Sequence, residues 1–94
     1  MTAAVTRLGD LTTGHRGGFV PVPSIQASPN VFANFLPVVR QGDAFAVHCT
    51  KHCHQGVLVS GSSTVYVNGK QIGRIGDRVS CTDQVASGSN NVFA

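Results

Sequence analysis

The sequence predicts an all-β fold: three β-hairpin repeats related by pseudo-threefold symmetry and closed by pairing of the N- and C-terminal strands. Three observations predict it. Arg-x-Gly-Asp occurs three times, as R7-L-G-D10, R40-Q-G-D43 and R74-I-G-D77. A second element recurs in phase with it, as ASPNVFAN (27–34), GSSTVYVN (61–68) and GSNNVFA (88–94); Val31 to Asp43 and Val65 to Asp77 are both 12 residues. No window carries a sustained helical apolar period with caps. Short alternating runs cut by Gly, Pro, Asn and Ser recur instead, the pattern of strands and tight turns.

Each element can be justified in turn. A3-A-V-T-R7 precedes the first Arg-x-Gly-Asp as K70-Q-I-G-R74 precedes the third, so it has the character of a return strand. The third repeat reaches Ala94 where the other copies place Asn34 and Asn68. Residues 91–94 are therefore expected to pair with about residues 3–7, which sets the termini side by side and removes an exposed edge. The middle hairpin reads STVYV (63–67), Asn68-Gly69, KQIGR (70–74). Asn-Gly suits its turn because both residues tolerate positive φ. The first repeat has Asn34-Phe35 there. Phe resists positive φ, which predicts a turn of different shape and marks Phe35 as a contact residue. The Asp after each Gly is expected to accept turn N–H groups.

Ninety-four residues make one domain, 1–94, with a thin core of the kind that metals or partners commonly supplement. Only 12% of residues are charged, low for a free-standing domain, which predicts that part of the surface is covered by a partner. The net charge of +3 comes from seven bases against four acids. The bases are scattered, whereas a nucleic-acid footprint clusters them. MTAAVTRLGD holds no long apolar stretch, so neither a cleaved Sec signal nor a membrane helix is expected there. The chain is expected to be made in the cytoplasm and to leave it by another route. Three cysteines without a secretory signal argue against a disulfide framework and for metal.

Chemistry concentrates in H48-C-T-K-H-C-H54. Aligned on the repeats, each Gly-Asp is followed by one His or Cys before the next apolar run: His15, His54 and Cys81. Pseudo-threefold symmetry brings these three to the axis. Three N/S donors at one point invite zinc, whose structural sites are tetrahedral. The fourth donor is expected from the insert, as His48 or, alternatively, His52. Structural zinc loops separate their ligands by several residues, which favours His48. Cys49 and Cys53 are left over, and a disulfide between them is disfavoured in a reducing compartment.

Four protein ligands leave no open position for substrate, so no catalytic residue and no enzymatic activity are expected. The chain has no Glu. GHRGG (14–18) lacks the spacing and the Lys of a phosphate loop. No recognition helix accompanies the Cys and His residues, as a nucleic-acid-reading zinc finger would require.

The tetrapeptides ending in the repeated arginines are A4-V-T-R7, P37-V-V-R40 and Q71-I-G-R74. With PVVRQGD, QIGRIGD, GSSTVYVNGK and the final GSNNVF, they make the chain resemble, over essentially its whole length, the PAAR-repeat family. Members of that family cap the spikes of type VI secretion systems and contractile phage tails. The resemblance implies a small cone without an effector extension, its blunt base seated on a trimeric β-helical spike protein, one tip per trimer. Zinc is then a structural ion near the sharp end, one per monomer, held by three His and one Cys: His15, His54, Cys81 and an insert histidine, His48 with His52 as the alternative. It further implies a monomer when alone, no nucleic-acid partner, no stable membrane association, and delivery outward on the spike to puncture an envelope. Phe35 and Val38 are candidate contacts at the base. The rival readings are a zinc module acting on nucleic acid and a small metalloenzyme.

Overall fold

The computed structural model describes residues 2–94. Its strands are short: β1 (Phe32–Ala33), β2 (Leu36–Pro37), β3 (His48–Cys49), β4 (Cys53–His54), β5 (Tyr66–Val67) and β6 (Lys70–Gln71), paired as the antiparallel hairpins β1–β2, β3–β4 and β5–β6. No α-helix occurs among the described residues. The fold is all-β, as the sequence predicts.

β1–β2 and β5–β6 are repeat equivalents. The third equivalent is built from both chain ends. Ala4 bridges Phe93, the N–H of Ala3 donates to the Ala94 carbonyl (3.1 Å), and Ala94 donates back to Ala3 (3.0 Å). The expected closure is present.

The three residues that precede the repeated arginines form a ring of backbone hydrogen bonds. Thr6 N–H donates to the Gly73 carbonyl (3.0 Å), Gly73 to Val39 (2.8 Å), and Val39 to Thr6 (3.0 Å). Gly73 is required by this close approach, since a Cβ there would lie 2.6 Å from the Leu58 side chain and 2.9 Å from that of Thr6. A second cycle of antiparallel bridges follows along the chain: Ser24 with Phe45, Leu58 with Val79, and Val85 with Thr12. Each repeat therefore sends its return strand to the next.

Two apolar clusters lie along this body. Val5, Ala33, Val38, Val67, Ile72 and Ala94 pack beneath the hairpins. Val22, Val39, Phe45, Leu58, Val79 and Val85 form the second cluster, with Cys81 against it. Val38 and Val39 are chain neighbours in different clusters, as strand alternation requires. Val38 is 1% exposed, so it belongs to the core and is not available as a contact at the base.

Each repeated Asp accepts a backbone N–H, from the Arg three residues earlier, at 2.8 Å in all three copies. It also accepts that arginine's Nε, at 3.0, 2.9 and 3.2 Å. The guanidinium then reaches the carbonyl that opens a neighbouring element, Gly88, Ala27 or Gly61, at 3.3 Å in each case. Arg-x-Gly-Asp is thus a folded ion pair that ties two repeats together. Its hydrogen bond to Asp43 holds Arg40 above its ordinary pKa against the opposing effect of burial, and the carboxylate charge adds to it. In the recurring second element, Ser28, Ser62 and Ser89 are buried, and each hydroxyl accepts the N–H groups two and three residues on.

One turn departs from expectation. Asn34 and Phe35 have φ of 54° and 66°, against 54° and 77° for Asn68 and Gly69. The first turn therefore keeps the shape of the second. Register fixes a two-residue loop, and the Asn34 side chain is locked by Asn91 (2.7 Å) and Arg7 (3.1 Å). With Asn34 so held, Phe35 sits in the left-handed region at a cost of about 1–3 kcal/mol and is 97% exposed.

Candidate metal centre

Three loops meet at the end of the body formed by the second core cluster. They span residues 13–21, 46–56 and 80–83, between the bridged positions of the second cycle, and they carry His15, the β3–β4 hairpin and Cys81. In the first loop His15 bridges Phe19 across a turn with Gly17 and Gly18 at φ of 92° and 82°. In the second, His48 stands opposite His54 and Cys49 opposite Cys53. Alternation turns the histidine rung inward and the cysteine rung outward: His48 is 4% exposed, whereas both cysteines are exposed. Gly56 lets the return strand pass the third loop, because a Cβ there would sit 2.9 Å from the Cys81 sulfur and 2.5 Å from Val79.

The candidate donor atoms of His15, His48, His54 and Cys81 all lie within 4.8 Å of one another. His52 is outside this group, exposed, with its ring centre 6.3 Å from that of His54. The nitrogens are aimed by their surroundings. His48 Nδ1 lies 2.9 Å from the Val20 carbonyl, which can only accept, so Nδ1 carries the proton and Nε2 a lone pair. His15 Nδ1 meets the Asp83 carboxylate, which leaves its Nε2 free. Asp83 is fully buried, and its second oxygen has no hydrogen-bond partner among the described residues. A carboxylate behind a ligating imidazole fixes its tautomer and raises its basicity.

His48 Nε2 and His54 Nε2 are 2.7 Å apart. Two lone pairs at that distance require a proton or a cation between them. His54 is held below its ordinary pKa by partial burial first, then by His48, His15 and His52, with Asp83 opposing. The neutral imidazole that a metal needs is thereby favoured. Three nitrogens and one sulfur converging within 4.8 Å are a donor set of the kind zinc takes in structural sites. The donor set fits the ion.

Residues 48–94, half of the chain, match the family model of the PAAR motif. The chain belongs to the PAAR motif family. The matched half holds the insert histidines and Cys81; His15 lies before it and joins through the repeat and the geometry. The PAAR chain is 32% identical over 76 residues to the NAD(P)(+) glycohydrolase toxin Tse6 of Pseudomonas aeruginosa, covering 73% of this chain and 18% of that protein. Similarity to the (p)ppApp synthetase toxin Tas1 of the same species is also 32% over 76 residues, covering 73% and 17%. The double-stranded DNA deaminase toxin A of Burkholderia cenocepacia is 29% identical over 69 residues, covering 73% and 5%. The PAAR chain therefore spans less than a fifth of the length of these relatives.

Two neighbours of the PAAR centre escape sequence reasoning. Phe19 stacks on His15 and His54 with ring centres 4.5 and 4.3 Å away, an apolar plate beneath the imidazoles. Asp83 is the only Asp outside Arg-x-Gly-Asp, and that exception is the signal that could have marked it. A third difference concerns Cys49 and Cys53, expected as unpaired spares. They form a disulfide, and Cys81 is the free cysteine. The compartment argument describes chains on average, whereas direct opposition on an antiparallel rung sets this pair within bonding reach.

Proposed function

We propose that this PAAR chain holds one structural zinc ion on His15, His48, His54 and Cys81, and that it caps the trimeric spike of a contractile injection machine, of a type VI secretion system or a phage tail. The chemistry zinc supplies is structural: it cross-links three loops otherwise joined by the His15–Asp83 pair, the His48–Val20 hydrogen bond and the stacking of Phe19. With all four positions filled by protein, the role is mechanical and not catalytic, and 1–94 acts as a single cap domain. Delivery outward on the spike needs no cleaved signal, and among the described residues no helix is long and apolar enough to cross a membrane.

The observation that carries this reading lies at the end opposite the metal ligands. Phe32, Tyr66 and Phe93 occupy equivalent positions on the three hairpins and are 56, 57 and 57% exposed. The valines beside them, Val31, Val65 and Val92, are 36, 38 and 37% exposed. An apolar face that repeats so closely about an axis is matched to a partner with three identical chains. Mass measurement of the purified complex should give one PAAR chain to three spike chains. Binding should survive raised salt, because scattered bases give little counterion release. Salt-sensitive binding to DNA or RNA, without affinity for a spike trimer, would overturn the proposal.

Phe35 gives a sharper test. Phe35→Gly recreates the Asn-Gly turn of the middle repeat and should raise thermal stability, by about 1 kcal/mol from relieved strain. The same change removes an exposed ring at the docking face and should weaken capping about tenfold, the scale of a truncated aromatic contact. Unchanged capping affinity would place Phe35 outside the interface.

A further inference from the structure

We propose that Cys49 and Cys53 form a redox clasp on the metal centre, where thiol–disulfide exchange sets how firmly the ion is retained. The inference rests on the zinc site proposed above but concerns two residues outside its ligand set. Register carries it. The disulfide spans the rung next to the one that bears His48 and His54. Each strand of that hairpin is two residues long, far short of what holds a ladder together in water. The opposition of His48 and His54 therefore draws support from outside the ladder: the Val20 carbonyl on His48, Phe19 against His54, the disulfide, and the ion when bound.

Exposure separates the two functions. The cysteines face solvent, where a small thiol or disulfide can reach them, while His48 is buried and His54 half-buried. Cys81, the third sulfur, lies on another loop and is half-buried among the ligands. Exchange at the clasp thus needs no ligand to move.

With the disulfide formed, departure of the ion leaves two of its four ligands tethered close together even where the rest of the fold loosens. With it reduced, residues 49–53 gain chain freedom that must be lost again on binding. Affinity falls by that lost preorganisation. Reduction is ordinary exchange with a dithiol. A reagent thiolate attacks one sulfur, the Cys49–Cys53 bond breaks, and the departing sulfur takes up a proton. The reagent's second thiol then displaces the first mixed bond. Two electrons and two protons pass to the protein, and the dithiol leaves as its own disulfide.

The test is zinc release from loaded protein to a colorimetric chelator. It compares the oxidised chain, the chain reduced with a dithiol and desalted without air, and the double variant C49S/C53S. The reduced chain should lose zinc about tenfold faster than the oxidised one. The double variant should release at the reduced rate whether or not it has met reductant. Equal release from oxidised and reduced wild type, each carrying one zinc, would overturn the clasp and leave the zinc site standing. Absence of zinc from every form would overturn both.

Discussion

Removal of zinc is expected to unfold the chain at ordinary temperature. Structural zinc contributes on the order of 10 kcal/mol to small modules, and native domains are stable by only about 5–15 kcal/mol in all. The margin is narrow here because the core is split into two clusters of six buried residues each. Cys81→Ser should therefore abolish stoichiometric zinc and lower the melting temperature by tens of degrees, read by metal analysis and thermal melting of the same sample. His48→Ala should do the same, whereas His52→Ala should leave both readings unchanged, since His52 stands apart from the four donors. Asp83→Asn is predicted to be intermediate. It keeps volume and removes charge behind His15, so zinc should bind about 10- to 100-fold more weakly while the loaded fold survives. Metal-free protein of full stability would reject the site.

Deletion of residues 90–94 is expected to unfold the domain, although terminal truncations are usually mild. These five residues complete the third hairpin. Val5 donates to the Val92 carbonyl (3.0 Å), and Ala3 and Ala94 exchange a pair of backbone bonds. Ala94 is 8% exposed and belongs to the cluster beneath the hairpins. The loss bares Val5 and orphans a strand at once, a change of several kcal/mol. Phe93→Ser is the control. That ring is 57% exposed, so the substitution should disturb capping and spare the fold. A truncated chain with an unchanged melting curve would show that closure contributes nothing to stability.

The repeat was legible because two elements keep phase, and phase survives substitutions that blur any single motif. That phase also led to His15, His54 and Cys81, and loop spacing favoured His48. What escaped has a common physical origin. Local propensity disfavours the Phe35 turn, yet Asn91 and Arg7 hold its neighbour Asn34 from far along the chain. Val38 reads from sequence as a base contact although it is buried, because the facing of a strand is invisible until its neighbours are known. Asp83 supports a histidine 68 residues away in sequence, and no periodicity records such a partnership. The Cys49–Cys53 bond follows from a register that the insert, having no repeat equivalent, could not announce.

For the cap proposed above, the ring of Thr6, Val39 and Gly73 bears on how load would be carried. A thrust along the axis of a tapered body pushes its wall outward, and the wall answers with tension around its circumference. In the proposed cap that tension would fall on three backbone bonds, each shared by two repeats, and on the second cycle of bridges beyond them. An open stack of repeats yields from an end, one unit at a time. A closed hoop offers no end from which to peel, and giving way requires neighbouring joints to part together.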